Sequence, residues 1–310
     1  LSTEVFAYKY GLGSCLDQRF KQDIWQSIKK ENIDGFIFLG DNVYGDTPSG
    51  KLSKMESAYK IQQTKLPEWL MSEKEILAIW DDHDFGINDG GGDYPFKKEA
   101  QKLFLEFWKI PGLDPRSTRE GIYFKQTKQI EDLEVEIIGL DTRYFRSPLK
   151  GKKNSYAQNM DSEATILGTE QWKWLETSIY NSTADVIVIL SSIQILATNH
   201  PYEKWDNFPM ERERLLGLIA NASKNTTILA VSGDRHRSGI YQNDHFVEIT
   251  ASSLNKSASK NIETDPLLLG ETYPQKNFGT LDIEPTKNKI TLSIHDQNGF
   301  KLNSKIINLN

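Results

Sequence analysis

Four apolar runs in this chain each stop at a cluster of residues able to bind a cation or move a proton. The first stops at Gly13-Ser14-Cys15 and the second at Gly40-Asp41-Asn42-Val43-Tyr44. The third stops at Asp81-Asp82-His83-Asp84 and the last at Gly233-Asp234-Arg235-His236. In open α/β sheets, ligand sites form at the carboxyl ends of strands, so these four ends are expected to converge. Convergence would gather a thiol, a phenol, imidazoles and several carboxylates in one place. Carboxylates packed that closely repel one another unless cations lie between them. The chemistry this pattern points to is a metal site. Each cluster alone has a plainer reading: a lone cysteine is most often a small buried hydrophobe, a Gly-Asp after a strand is often a turn, and an acidic run is often a solvated loop. The recurrence of such clusters in order, each after a buried strand, favours the metal reading.

The elements that must position these clusters alternate between strands and helices. Val5–Gly13 reads as a strand, and Phe20, Ile24 and Ile28 recur at helical spacing, which predicts an amphipathic helix over Asp17–Lys30. Gly35–Leu39 is a short buried strand; a helix follows over about Leu52–Lys65 and another before the strand Ile76–Trp80. Phe96–Phe107 reads as a helix, and Ile122–Thr127 and Val135–Leu140 as strands about a charged turn. Thr169 is placed to cap a helix through Tyr180 that presents Trp172, Leu175 and Ile179 on one face. Val186–Leu190 is a run of five apolar residues, the mark of a strand buried on both faces. Met210–Ala220 reads as a helix, and Ile228–Val231, Phe246–Ser252 and Ile290–Ile294 as strands. The pattern is that of an α/β architecture whose sheets are enclosed by helices. The loop Gly86–Tyr94, with three consecutive glycines, leaves two readings open: a mobile wall over the cations, or a turn into the helix at Phe96.

The bulk composition limits the rest. The chain has 310 residues, a length that by itself suggests about two domains. Its net charge of −6 and the absence of a dense Lys/Arg run argue against broad nucleic-acid binding. An anionic substrate would need a local attractor, which a metal cluster supplies. One cysteine, Cys15, allows no internal disulfide, and no stretch approaches the ~20 apolar residues of a membrane span. The chain begins at Leu1, which fits a processed product and gives the expectation of a secreted or periplasmic protein. His200, His245 and His295 stand without ligand-type companions and are expected to be structural or at the surface.

Gly40-Asp41, Asp82-His83-Asp84 and Asp234-x-His236 resemble the ligand pattern of the calcineurin-like metallophosphoesterases. Gly13-Ser-Cys15, Asp41-x-x-Tyr44, Trp80-Asp-Asp-His-Asp84 and Ser232-Gly-Asp-Arg-His236 look like the PhoD-like (alkaline phosphatase D) family within them. Asp141-Thr-Arg143 and Glu248-Ile-Thr-Ala-Ser-Ser253 also look like segments of that family. The resemblance runs from about Gly13 to Ser253. It implies a single domain over residues 1–310 folded as a four-layer αββα sandwich. It implies Asp41 as the carboxylate bridging two metals, with Cys15 and Tyr44 on one of them and Asp82, Asn88 and Asp234 as further ligands. His236 is implied either as a ligand or as a phosphate contact. The mixed donors suit Fe3+ on the Cys15/Tyr44 side and Ca2+, or another divalent cation, on the oxygen-rich side. By the same resemblance His83 gives a proton to the leaving oxygen or binds the phosphate, Asp84 orients its ring, and Arg143, ahead of Arg146, Arg235 and Arg237, neutralises the transition state. The chain departs from the wider superfamily at Ser191-Ser192-Ile-Gln194, where a histidine is usual, so a second site built on two histidines is not expected. Gln194 is assigned at most a supporting place. The implied activity is hydrolysis of small phosphate monoesters or diesters at alkaline pH by a metal-activated water. The alternatives are a nuclease or phospholipase-type phosphodiesterase, or a non-catalytic metal-binding protein of the same fold.

Overall fold

The computed structural model describes residues 7–258 and 260–309; Val5 and Phe6, the start of the expected first strand, lie outside them. In chain order the strands are β1 (Tyr8–Gly13), β2 (Gly35–Leu39), β3 (Glu75–Ile79), β4 (Phe124–Ile130), β5 (Leu133–Gly139), β6 (Lys150–Lys152) and β7 (Ser155–Ala157). They continue as β8 (Val186–Ser191), β9 (Thr227–Ser232), β10 (Gly239–Gln242), β11 (Val247–Thr250), β12 (Asn277–Glu284), β13 (Lys289–Asp296) and β14 (Lys301–Asn308). The helices are α1 (Trp25–Lys30), α2 (Ser53–Lys65), α3 (Glu68–Glu73), α4 (Asp82–Phe85), α5 (Lys97–Phe107), α6 (Gly168–Tyr180) and α7 (Pro209–Ala222).

Twelve of the strands form two six-stranded sheets, ordered β14-β13-β12-β1-β2-β3 and β10-β11-β9-β8-β5-β4, while β6 and β7 pair as a separate hairpin. β1, β2 and β3 run parallel in the first sheet. β5, β8, β9 and β11 run parallel in the second. Alternation along the strands decides what each face covers. In β8, Val186, Val188 and Leu190 join one apolar cluster with Ile37, Leu39 and Leu281 of the first sheet. Ile187 and Ile189, pointing the other way, join a second cluster with Trp172, Leu175 and Ile179 of α6 and Leu215 and Ile219 of α7. The first cluster continues through the other face of the first sheet to Trp25 and Ile28 of α1, Met55 of α2 and Phe104 of α5. Phe36 meets Trp25 edge to face at 5.3 Å between ring centroids. The layers therefore run helix, sheet, sheet, helix. Each fully buried Leu or Ile adds about 1.5–3 kcal/mol to holding them together.

Several elements differ from the sequence expectation. The helix expected over Asp17–Lys30 is confined to Trp25–Lys30. Asp17 instead accepts from the Arg19 amide and guanidinium, and its own amide is held by Asn255. Phe20, placed by periodicity on the buried face, is 49% exposed. Thr169 falls inside the first turn of α6 rather than at its cap, and Thr165 Oγ1 accepts from the Gly168 amide. β12 and β14 differ as well. β12 carries Asn277 and Gly279 in its first half, and β14 is an edge strand with alternating exposed polar residues, so neither reads as an apolar run.

Candidate metal centre

The site is built where strand ends from the two sheets meet. At the end of β1 the Cys15 amide donates to Gly40 O, and the Leu16 amide to Asp41 O. The Leu254 amide, past β11, reaches back to Ser14 O. Gly40 turns the chain with φ of 100°, and a Cβ there would lie 2.5 Å from the Cβ of Asp81. Gly233 lets β9 close on the first sheet, since a Cβ there would lie 2.7 Å from Leu39 O. After these turns the chain is held in an unusual backbone state. Cys15, Asp41, Asp234 and His236 all have positive φ, of 58°, 51°, 65° and 52°. Such residues cost of order 1–3 kcal/mol each and persist where the surroundings over-determine them, which is typical of functional sites.

Three overlapping groups of donors result, each with its atoms within 4.8 Å of one another. They are Cys15 with Asp41 and His236, Asp41 with Asp82 and His83, and Asp41 with Asp81, Asp82 and Asp234. Asp41 belongs to all three. The Cys15 thiol lies 3.5 Å from Asp41 Oδ2 and 3.1 Å from Ser252 Oγ. The Tyr44 hydroxyl donates to Asp41 Oδ2 at 3.0 Å.

The electrostatics of this cluster call for cations. Burial, reinforced by neighbouring carboxylates, holds the Asp41 and Asp234 carboxyls well above the usual carboxylate range. Burial pushes Asp81 up to about 6 even against the Arg143 guanidinium. It also pushes the Cys15 thiol up to about 11, against hydrogen bonds from Ser252 and Ser14. These acids resist ionising together, and positive ions between them would reverse that preference. Asp81 Oδ2 and Asp82 Oδ1 are buried without a hydrogen-bond partner among the described residues. Unpaired buried carboxylate oxygens are costly unless something coordinates them. The donor set fits a multinuclear centre, with sulfur, phenol and imidazole on one side of Asp41 and carboxylates on the other.

The supporting contacts assign two expected residues differently. His83 Nδ1 lies 2.7 and 2.8 Å from the two oxygens of Asp46, not against Asp84. Burial opposes a charge on that ring, but Asp82, Asp41 and Asp46 outweigh it and push His83 up to about 10. Asp84 is fully buried and accepts from the backbone amides of Asp41, Asn42 and Asp81 and from Asn42 Nδ2. It ties the end of β2 to the end of β3, because it faces inward from α4 while His83 faces the cleft. Arg143 is also correctly near and differently employed. It is fully buried behind the cluster, with Nε 2.7 Å from Asp81 Oδ1 and Nη1 2.5 Å from Glu203 Oε2. Glu203 is shared with Arg146 at 2.8 Å. A guanidinium held this way orients Asp81.

Asp82 Oδ2 accepts from the Asp89 amide, whose carboxylate takes the side chain of Asn88 and the hydroxyl of Tyr156. Asn88 is exposed beside Asp82 and His83. The glycine-rich loop is pinned rather than loose: Gly90 O accepts from Arg143, and the Gly92 amide donates to Arg146 O. His236 Nδ1 pairs with Lys256 O at 2.7 Å, and its amide with Ser252 Oγ. Gln194 lies outside the cluster, donating to Thr250 and meeting His200. Asp46 and Lys256 complete the site without having been named from the sequence, and Asp81 and Ser252 lay within quoted motifs without a role of their own. Asp46 lies in the loop opened by Asp41 and Asp81 in the acidic run, so both had a local signal. Lys256, whose ammonium sits 3.5 Å from the Tyr44 ring centroid, had none.

The cluster opens on a cleft of about 400 Å³. Its lining includes Asp82, His83, Asp234 and His236 of the cluster together with Lys153, Tyr202, Arg235 and Glu263.

The two-sheet sandwich with this donor cluster is the architecture of the metallophosphoesterases. The PhoD-like phosphatase family model matches residues 96–299, and the chain belongs to that family. Alkaline phosphatase D of Bacillus subtilis (strain 168) is 27% identical over 322 aligned positions, covering 84% of this chain and 53% of that one. The chain thus spans about half the length of the curated relative it matches. A solved structure of PhoD superposes with a TM-score of 0.74 at 18% identity, covering 98% of this chain and 69% of the other. The purple acid phosphatase PPD1 from yellow lupin (Lupinus luteus) seeds gives 0.63 at 14% identity, covering 97% of this chain and 54% of its own. No described helix is long and apolar enough to cross a membrane.

Proposed function

We propose that this protein is a metal-dependent phosphoric ester hydrolase that cleaves small phosphate esters, with residues 1–310 acting as one unit. The observation that carries it is the placement of His83 at the cleft beside Asp82, Asp234 and His236, with its far nitrogen held by Asp46. The single-unit reading rests on the origin of the donors, which come from strand ends in both sheets. Asp41 would hold two cations. Cys15 and Tyr44 would select Fe3+ on one side, while Asp82, Asn88 and Asp234 would hold Ca2+ or another divalent cation on the other. His236 would complete the Cys15 side. When bound, such a centre supplies Lewis acidity to the phosphoryl oxygens and a nucleophilic water. His83 then gives its proton to the leaving oxygen, and Asp46 fixes the ring and its tautomer. Arg143 keeps Asp81 ionised and aimed at the cluster.

The deciding experiment is turnover of a chromogenic phosphomonoester and the matching diester by the metal-loaded protein at alkaline pH. Hydrolysis of either supports the reading. Failure on both by protein that retains its metal would favour a non-catalytic metal-binding role. His83→Gln is expected to lower turnover about 10²–10⁴-fold with metal content unchanged. Asp46→Asn is expected to lower it about 10–100-fold, again with the metals in place. A full rate in Asp46→Asn would show that the ring needs no orientation from that carboxylate.

A further inference from the structure

The residue between two of the candidate ligands brings a different chemistry to the wall of the cleft. Asp234 and His236 both face the donor cluster. Arg235, between them, turns the opposite way, onto Glu263 at 2.6 Å and over the Tyr202 ring at 4.6 Å. Its guanidinium is 5% exposed, yet Nε is buried without a hydrogen-bond partner among the described residues. A buried guanidinium N–H left unmet is costly, and Arg235 lines the cleft. Lys153 lines the same cleft from the β6–β7 hairpin, which is fastened by the Tyr156 amide to Pro201 O and by the Tyr156 hydroxyl to Asp89. Glu263 belongs to a strap that is itself tied down. Asp265, two residues on, accepts from the amides of Thr198 and Asn199.

We propose that Arg235, supported by Tyr202 and Glu263 and assisted by Lys153, is the specificity-determining contact for the part of the substrate that is not hydrolysed, and that it selects an ester arm bearing a second anionic group. The proposal rests on the cleft being a phosphoester site. Arg235 is prepared for an anion in three respects. Stacking on Tyr202 fixes the plane of the fork, Glu263 anchors Nη2, and the side chain lines the cleft with one N–H still without a partner among the described residues. Glu263 is the counterweight: it offsets part of the positive charge that an anionic arm would meet. An arm without an anionic acceptor makes no charge-assisted contact with Arg235 and so is disfavoured.

The test compares phenyl phosphate with 4-carboxyphenyl phosphate as substrates of the metal-loaded protein. It also compares phenylphosphonate with 4-carboxyphenylphosphonate as non-hydrolysed ligands read by calorimetry. The wild type is expected to prefer the carboxylated member of each pair by about tenfold, the scale of one charge-assisted contact. Arg235→Met is expected to bring both ratios to within about twofold of unity, and Glu263→Gln to raise them above the wild type. The proposal is overturned if the wild type shows no preference, or if the preference survives in Arg235→Met. Failure to turn over either phosphate while the phosphonate preference persists and depends on Arg235 would sink the hydrolase reading and leave the arm site standing.

Discussion

Asp41→Asn is expected to empty the centre. The Asp41 carboxylate is the one group common to all three sets of donors. It accepts from Tyr44 and from the Cys15 thiol on the same oxygen. An amide keeps the shape, but its nitrogen has no lone pair for a cation and would direct N–H groups at the phenol and thiol. Loss of an outer-shell partner alone costs about 10–100-fold in metal affinity or activity. Loss of the shared carboxylate should exceed that, leaving less than about a tenth of the wild-type metal after dialysis. Elemental analysis reads this directly, and any visible charge-transfer band from Tyr44 or Cys15 on a ferric ion would vanish with it. The metal-free variant should be no less stable than metal-free wild type, because burial and like charges already disfavour an ionised Asp41. Stoichiometric metal in Asp41→Asn would refute the bridging assignment.

Asp84→Ala attacks the same centre from behind and should register as instability first. Its carboxylate meets the amides of Asp41, Asn42 and Asp81 and the side-chain amide of Asn42, all buried. Removing it strands donors at the ends of two adjacent strands, each costing about 1–3 kcal/mol. Water entering the space left behind would recover part of that, so a loss of about 3–5 kcal/mol in urea unfolding is expected. Metal binding should weaken in parallel, since the Asp41 amide that fixes the left-handed turn is one of the stranded donors. A change below about 1 kcal/mol would mean that the amides find other acceptors and that Asp84 does not brace the turn.

The strand-end clusters were legible because each is local. Cys15, Asp41 to Tyr44, Asp82 to Asp84, and Asp234 to His236 lie within a few residues of the apolar strand that aims them. Side-chain partners across the chain were not legible. Asp84 and Asp46 are both near His83 in sequence or in space, and only the inward turn of α4 decides which one meets the ring. Arg143 was near the right place, but Glu203, 60 positions away, removes it from the cleft. The helical repeat of Phe20, Ile24 and Ile28 was real as a pattern. It was overridden at its start by Asp17, which binds Arg19 and Asn255 instead of opening a helix. β14 escaped notice because an edge strand with one wet face carries too few apolar residues to announce itself.

The strand order of the first sheet also has a consequence for how the protein is made. β1, which leads into Cys15, lies between β2 and β12, and Tyr8 is opposite Ile283. During synthesis the segment carrying Cys15, Asp41 and Asp82 leaves the ribosome early, yet one flank of β1 stays unpaired until residues beyond 277 appear. Asp234, His236 and Ser252 arrive late as well. Pairing across so great a separation carries a large loop-closure cost and is slow. The nascent chain therefore presents a partial acidic cradle before the later strands supply Asp234 and His236 and close the two sheets over it.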